Sequence, residues 1–317
     1  MALPQDTRYI NQVVASTLDE IRPVLVDGLF QSNALFARLY SKGKVSIEGG
    51  EEIRVPFLYD RLPGGPYTGL GPFATTQREV ITSMRFNWKQ YYVSITLPGI
   101  DVFKNSGPHK AFDLVSAQFT AAKMTLADTL GTDLFNDGTD NTRLTGLRLA
   151  ILNTGTYGGI ARGSGAIADA VEAQVDTTGG AITLPFVNDL MGDASAGGAE
   201  KPDLLMTTQL LWDALWARVQ PQQRYPNPSM EDVANVGFNV INVNGAAVVA
   251  DSHCPAGYLF GLNTNYWEFF VGSGYDMYLR GPFALQSQDG WTAQVLFYGE
   301  LACQSPRLNF NASGLTA

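Results

Sequence analysis

The chain has 317 residues, 45% hydrophobic and only 16% charged, with 21 Lys and Arg against 30 Asp and Glu for a formal charge of −9. No basic run is present, which excludes the phosphate-neutralising surface that tight nucleic-acid binding depends on. No apolar run approaches the ~20 residues that span a bilayer, the first residues lack the order of a secretory leader, and two cysteines make no disulfide framework. The expectation is a protein made in a reducing interior and not held in a membrane. Ordinary soluble domains carry roughly 25% charged residues, and interface cores are depleted in charge. An exterior largely hidden in contacts with other molecules follows, and at this length two packed lobes are expected.

In chain order, Val14, Leu18, Ile21 and Leu25 share one face of a helical pattern that Pro23 and Gly28 interrupt, and a second short helix follows over Ala34–Tyr40. Two extended arms come next, Val45–Tyr59 and Arg78–Leu97, around the Pro- and Gly-rich tip Arg61–Pro72. Ile53, Val55 and Phe57, then Val93, Ile95 and Leu97, keep the two-residue period of strands. A two-stranded ribbon of this length is marginal in water unless another surface covers it. The covering surface expected here is a second copy of the chain.

Gly107-Pro108 opens a helix whose stripe Phe112, Val115, Phe119, Ala122, Leu126, Leu130 and Leu134 runs to the stop signal Asn136-Asp137-Gly138. At about 1.5 Å per residue it would reach roughly 40 Å. Gly146–Gly180 has little periodicity and reads as loop with short strands. Leu184–Met191 reads as a helix, Ala194–Gly198 as a connector, Asp203–Met206 as a buried strand, and Gln209–Val219 as a helix with Trp212 and Trp216 on one side, stopped by Pro221. Phe238–Val243 and Ala246–Ala250 flank Asn244-Gly245, a type I′ hairpin signal, and Tyr258–Leu262 and Trp291–Cys303 read as strands.

This order of parts resembles the major capsid proteins of tailed double-stranded DNA phages, the Hong Kong 97-type fold. The resemblance rests on Ser32–Leu39, Gly49–Pro56, Tyr157–Arg162, Gly197–Thr207, Asn244–Asp251 with Cys254–Gly257, and Asn263–Trp267, weak singly and specific as a series. It implies an α+β fold with an N-terminal arm (1–43), an extended β-hairpin loop (44–98), a peripheral domain with a long spine helix (99–140 and 271–317) and an axial domain (141–270). It also implies a non-catalytic shell subunit, assembling with itself into hexamers and pentamers around packaged double-stranded DNA that it contacts weakly. Expected partners are portal and scaffolding proteins and a decoration protein, and the expected location is the virion, assembled in host cytoplasm. An encapsulin-like compartment is the alternative, and an unrelated cytosolic enzyme comes last, since the sequence advertises no pocket of convergent titratable groups. Some members of the family weld neighbours through a Lys in the extended loop, but none lies between Lys44 and Lys89, so noncovalent contacts are expected.

The residues expected to make intersubunit contacts are Arg54, Arg61, Tyr67, Phe73, Arg78 and Arg85, all on the ribbon, with the arginines facing acidic groups such as Glu51, Glu52 or Glu79 of neighbours. No catalytic, cofactor or metal site is expected. Asp251, Ser252 and His253 are the residue types of a hydrolase triad, yet as consecutive residues they are not expected to converge in a relay. Cys254 beside His253 has only His109 and Cys303 as further ligands, without ligand spacing. Phe135 and Leu144 stand where a calcium loop from Asp133 needs oxygen donors.

Overall fold

A fourteen-residue strand, Gly290–Cys303, organises the first of two main sheets in the computed structural model. The structure describes residues 33–69, 71, 73, 75–104, 114–195, 200–219 and 241–317. The helical pattern around Val14–Leu25, the helix start at Gly107-Pro108 with Phe112, Pro221 and the strand start at Phe238 lie outside those residues.

Along one edge the long strand pairs antiparallel with Lys89–Pro98, from Gly290 opposite Pro98 to Gly299 opposite Lys89. Along the other it pairs first with Tyr278–Ala284 and then with Trp267–Gly272, and Lys44–Ile47 adds in parallel outside the latter. Ser94 and its neighbours alternate in exposure, so Tyr91, Val93 and Ile95 pack inward while Tyr92 faces out. Against that inner face lies the helix Leu114–Asp133, whose 20 described residues extend about 30 Å. Ala122, Leu126 and Leu130 are buried as the expected stripe requires, with Leu134 just beyond the helix. Its outer side is threonine-rich: Thr120, Thr125, Thr129 and Thr132 each return a hydroxyl hydrogen bond to the carbonyl four residues back.

The second sheet has six strands in the order Ile241–Val243, Ala246–Ala250, Leu204–Thr207, Leu259–Leu262, Phe310–Ala312 and Gln174–Asp176. Every residue of Leu204–Thr207 and Leu259–Leu262 is buried, as expected of strands covered on both faces. Alternate side chains feed different cores. Leu204, Met206, Phe260 and Leu262 face the core shared with the long helix, whereas Leu205, Leu259 and Phe310 face one closed by the helices Leu184–Ala194 and Gln209–Val219. The sheet is therefore the wall between two hydrophobic lobes. Asn244 and Gly245 take φ of 52° and 91°, the left-handed pair a type I′ turn requires, and Trp212 stacks on Trp216 at 5.6 Å.

Three expectations need correction. The ribbon arms are not single strands: each breaks, at residues 48–52 and 87–88, and only Ile53–Leu58 and Ile81–Phe86 pair with each other. The outer halves, Lys44–Ile47 and Lys89–Pro98, belong to the first sheet, where Val45, Ile47, Tyr91, Val93 and Ile95 pack against the core of the body. Secondly, residues 310–316, grouped above with the peripheral part, hydrogen-bond in the second sheet and in a small pair with Gly180–Ala181. Thirdly, the stretch 146–180 contains two short helices, Leu147–Ala150 and Ala166–Val171, besides short strands. The buried Arg162 ties the stretch together, donating to the carbonyls of Leu149 and Ala150 at the end of one short helix, of Val171 at the end of the other, and of Thr154 between them.

Candidate functional site

The paired part of the hairpin has two unlike faces because its register sets Ile53 opposite Phe86, Arg54 opposite Arg85, Val55 opposite Met84 and Leu58 opposite Ile81. Ile53, Val55, Met84 and Phe86 form the inner face, at most 5% exposed. A two-residue-stranded turn, Thr156–Tyr157 with Ile160–Ala161, clasps that face. Phe86 meets the Tyr157 ring edge-on at 5.3 Å, and the Arg85 amide donates to the Gly158 carbonyl at 2.9 Å. Gly158 has φ of +56°, and a Cβ there would stand 2.5 Å from Met84 Cβ, so only glycine allows this approach.

The outer face carries Arg54, Pro56 and Leu58 beside Arg85, Ser83 and Ile81. Directly opposed like charges repel, so the Arg54 and Arg85 pair costs this chain stability when isolated. Arg54 finds Glu52 at 3.7 Å, while Arg85 has no ion pair among the described residues. Leu58 and Ile81 are 68% and 62% exposed, an apolar step next to the arginines that the sequence reading did not single out. The signal for them was the two-residue alternation itself, which puts Leu58 on the face opposite Phe57.

Past Leu58 the strands give way to a long tip, held at its root by the Tyr59 amide on the Val80 carbonyl at 3.0 Å and the Tyr59 hydroxyl on the Glu79 carbonyl at 2.6 Å. Tyr67 and Phe73 meet edge-to-face at 5.0 Å, yet remain 64% and 69% exposed, with Leu62 equally bare. Of the six expected contact residues, the fold thus brings together Tyr67 with Phe73 and Arg54 with Arg85. Arg61 stands apart. Arg78 lies 3.4 Å from Asp60 of its own chain, so for Arg54 and Arg78 the acidic groups within reach are intramolecular.

On the body, Leu97, Phe119, Leu279, Pro282 and Trp291 line an open apolar groove of about 280 Å³ between the long helix and the first sheet. Tyr278, Leu279, Phe283 and Trp291 extend the apolar surface beyond it. The strand Tyr278–Ala284 was not read from sequence, because Gly281-Pro282 at its centre reads as a turn.

The Asp251-Ser252-His253 turn brings its side chains together, but not as a relay. Ser252 Oγ and Asp251 Oδ1 lie 3.5 and 3.2 Å from the same ring nitrogen, His253 Nδ1, whereas a relay needs nucleophile and carboxylate on opposite nitrogens. Nε2 is occupied by Asp128 of the long helix at 2.9 Å, and Asp251 Oδ2 accepts the Leu35 amide at 3.1 Å. The turn fastens the helix Ala34–Gly43, the long helix and the second sheet to one another. Both cysteines are buried; burial pushes the Cys254 thiol well up and that of Cys303 up to about 12, leaving them as thiols at neutral pH. His109 lies outside the described residues. No helix among the described residues is long and apolar enough to cross a membrane, and no group of acidic, His and Cys side chains among them could hold a metal.

This architecture, a long helix over a sheet that continues into an extended hairpin, joined to a second sheet walled by helices, is the Hong Kong 97-type capsid fold. No sequence family and no curated protein matches the chain. Solved structures do. A capsid chain of cyanophage A-1(L) superposes with a TM-score of 0.74 at 14% identity, covering 94% of this chain and 97% of that one. The capsid chain of a native GTA particle gives 0.67 at 12%, covering 100% and 99%. The SrpI encapsulin of Synechococcus elongatus PCC 7942 gives 0.65 at 12%, covering 100% and 97%. At these identities the likeness establishes the fold.

Proposed function

We propose that the chain is the major capsid protein of a tailed phage, a non-catalytic shell subunit that assembles with copies of itself into hexamers and pentamers of an icosahedral head around double-stranded DNA. The observation that carries this reading is the tip of the hairpin: Leu62, Tyr67 and Phe73 project far from any core of their own chain while the base of the same hairpin is buried. Exposed apolar groups on a reaching element mark an interaction site, and repetition around a closed ring multiplies modest contacts. The groove beside Phe119 and Trp291 offers a receiving surface of matching chemistry on a neighbour. Arg61, Arg85, Arg54 and Arg78 set register there more than strength, since rim pairs contribute about 0–1 kcal/mol.

The division into arm (1–43), extended loop (44–98), peripheral (99–140 and 271–317) and axial (141–270) parts is kept as the functional segmentation, with residues 310–316 transferred to the axial part. Portal, scaffolding and decoration proteins are the further partners, with residence in the virion. The formal charge of −9 fits loose, sequence-independent contact with packaged DNA. Deleting Leu62–Phe73 is expected to leave a soluble, folded subunit that forms no shells by sedimentation; particles of normal size from the deleted chain would remove the tip from assembly. The encapsulin likeness supports a second reading, a compartment for protein cargo. Nucleic acid inside purified particles favours the head, and enclosed enzyme favours the compartment.

A further inference from the structure

Glu300 lies on the long strand with its side chain fully buried, and its two oxygens are treated unequally. Oε1 accepts the amides of Thr145 at 2.7 Å and Leu301 at 3.0 Å, whereas Oε2 has no hydrogen-bond partner among the described residues. Lys89 Nζ stops 4.0 Å short of Oε2 and donates instead to the Asn141 carbonyl. The other groups that face this spot are Tyr91, on the same strand as Lys89, and Tyr157 of the clasping turn. Behind Tyr91 stands Asp133, at the end of the long helix, which receives its hydroxyl at 2.7 Å and holds Arg143 Nη1 at 3.0 Å.

We propose that Glu300 and Lys89 form a proton-operated tie at the junction of the hairpin base, the long helix and the turn 140–145. With Glu300 uncharged, the two amides satisfy Oε1 and Lys89 stays on the Asn141 carbonyl, pinning that turn to the strand Lys89–Pro98. With Glu300 ionised, an unpartnered negative oxygen faces an ammonium across a short gap in a low-dielectric site, and Lys89 is drawn off the turn. Burial raises this carboxyl from 4.5 to about 7, against the opposing pull of Thr145 and Lys89, so the change falls near neutrality. Because the folded value lies above the unfolded one, the stabilisation is fully present below about pH 4.5 and is lost as pH rises through about 7. The inference concerns a single chain and does not depend on what the chain assembles into.

The test compares wild type, Glu300→Gln and Lys89→Met by amide hydrogen exchange of residues 141–144 between about pH 5 and 8.5, corrected for the intrinsic pH dependence of exchange; the Thr145 amide is left out because its bond to Glu300 strengthens on ionisation. Wild-type protection is expected to fall about tenfold or more across that range, one pKa unit being a factor of ten. Glu300→Gln is expected to stay level, and Lys89→Met to be poorly protected throughout. Identical pH profiles in wild type and Glu300→Gln would overturn the tie. Should Glu300→Gln not fold, the Glu300 13Cδ resonance of wild type decides: titration centred within about a unit of 7 supports the tie, and a carboxyl already ionised at about pH 5 overturns it.

Discussion

The two ends of the hairpin obey different rules although one excursion of the chain forms both. At the base, Ile53, Val55, Met84 and Phe86 are sealed against Tyr157 and Gly158, so this half is folded by its own chain. At the far end, Leu58, Leu62, Tyr67, Phe73 and Ile81 are each more than 60% exposed, and none of the described residues covers them. The difference teaches that a reaching element can be anchored at one end only: the root is sealed by its own chain, while the apolar area at the tip stays in solvent.

Substitutions should separate the two halves by what they damage. The largest effect is expected from Met84→Ala, which empties a fully buried site and should cost about 2–5 kcal/mol of stability in denaturant titration of the dispersed subunit. A cost below about 1 kcal/mol would mean the root is not a true core. A middling effect is expected from Gly158→Ala, whose added methyl meets Met84 from a left-handed backbone, at about 1–3 kcal/mol, with faster exchange of the Arg85 amide. Unchanged exchange there would show that the clasp does not hold the strand. The smallest effect on the subunit belongs to Arg85→Glu, which turns a repelling cross-strand pair with Arg54 into an attractive one and should raise stability by about 0.2–1 kcal/mol. Its effect on assembly should have the opposite sign, read as fewer particles by light scattering; a gain in both would detach Arg85 from any contact between subunits.

Much of this contrast was readable from local pattern, and some of it was not. Gln209–Val219, the Asn244-Gly245 turn and the long strand near Trp291–Cys303 fall where spacing and turn chemistry put them, because each is specified by neighbours in sequence. The breaks in the hairpin arms are invisible locally. Lys44–Ile47 leaves the ribbon because Trp267–Gly272, more than two hundred residues later, offers it a parallel partner, and no period reveals that choice. The helix Ala166–Val171 is too short to show a repeat. At the candidate site, the tip was legible as Pro- and Gly-rich chain with aromatic residues, but the meeting of Arg54 with Arg85 needs the register. The buried carboxyl of Glu300 sits in a strand whose sequence alone gives no hint that Lys89 is its neighbour.

The strand Phe310–Ala312 is bonded on both sides, to Leu259–Leu262 and to Gln174–Asp176, and its Phe310 fills the second lobe. That lobe cannot close on the ribosome until residue 312 has cleared the exit tunnel, however early its other strands emerge. Until then the edge of Leu259–Leu262 that Phe310–Ala312 pairs with stays open, so the last residues of the fold to emerge are the ones that seal its second core.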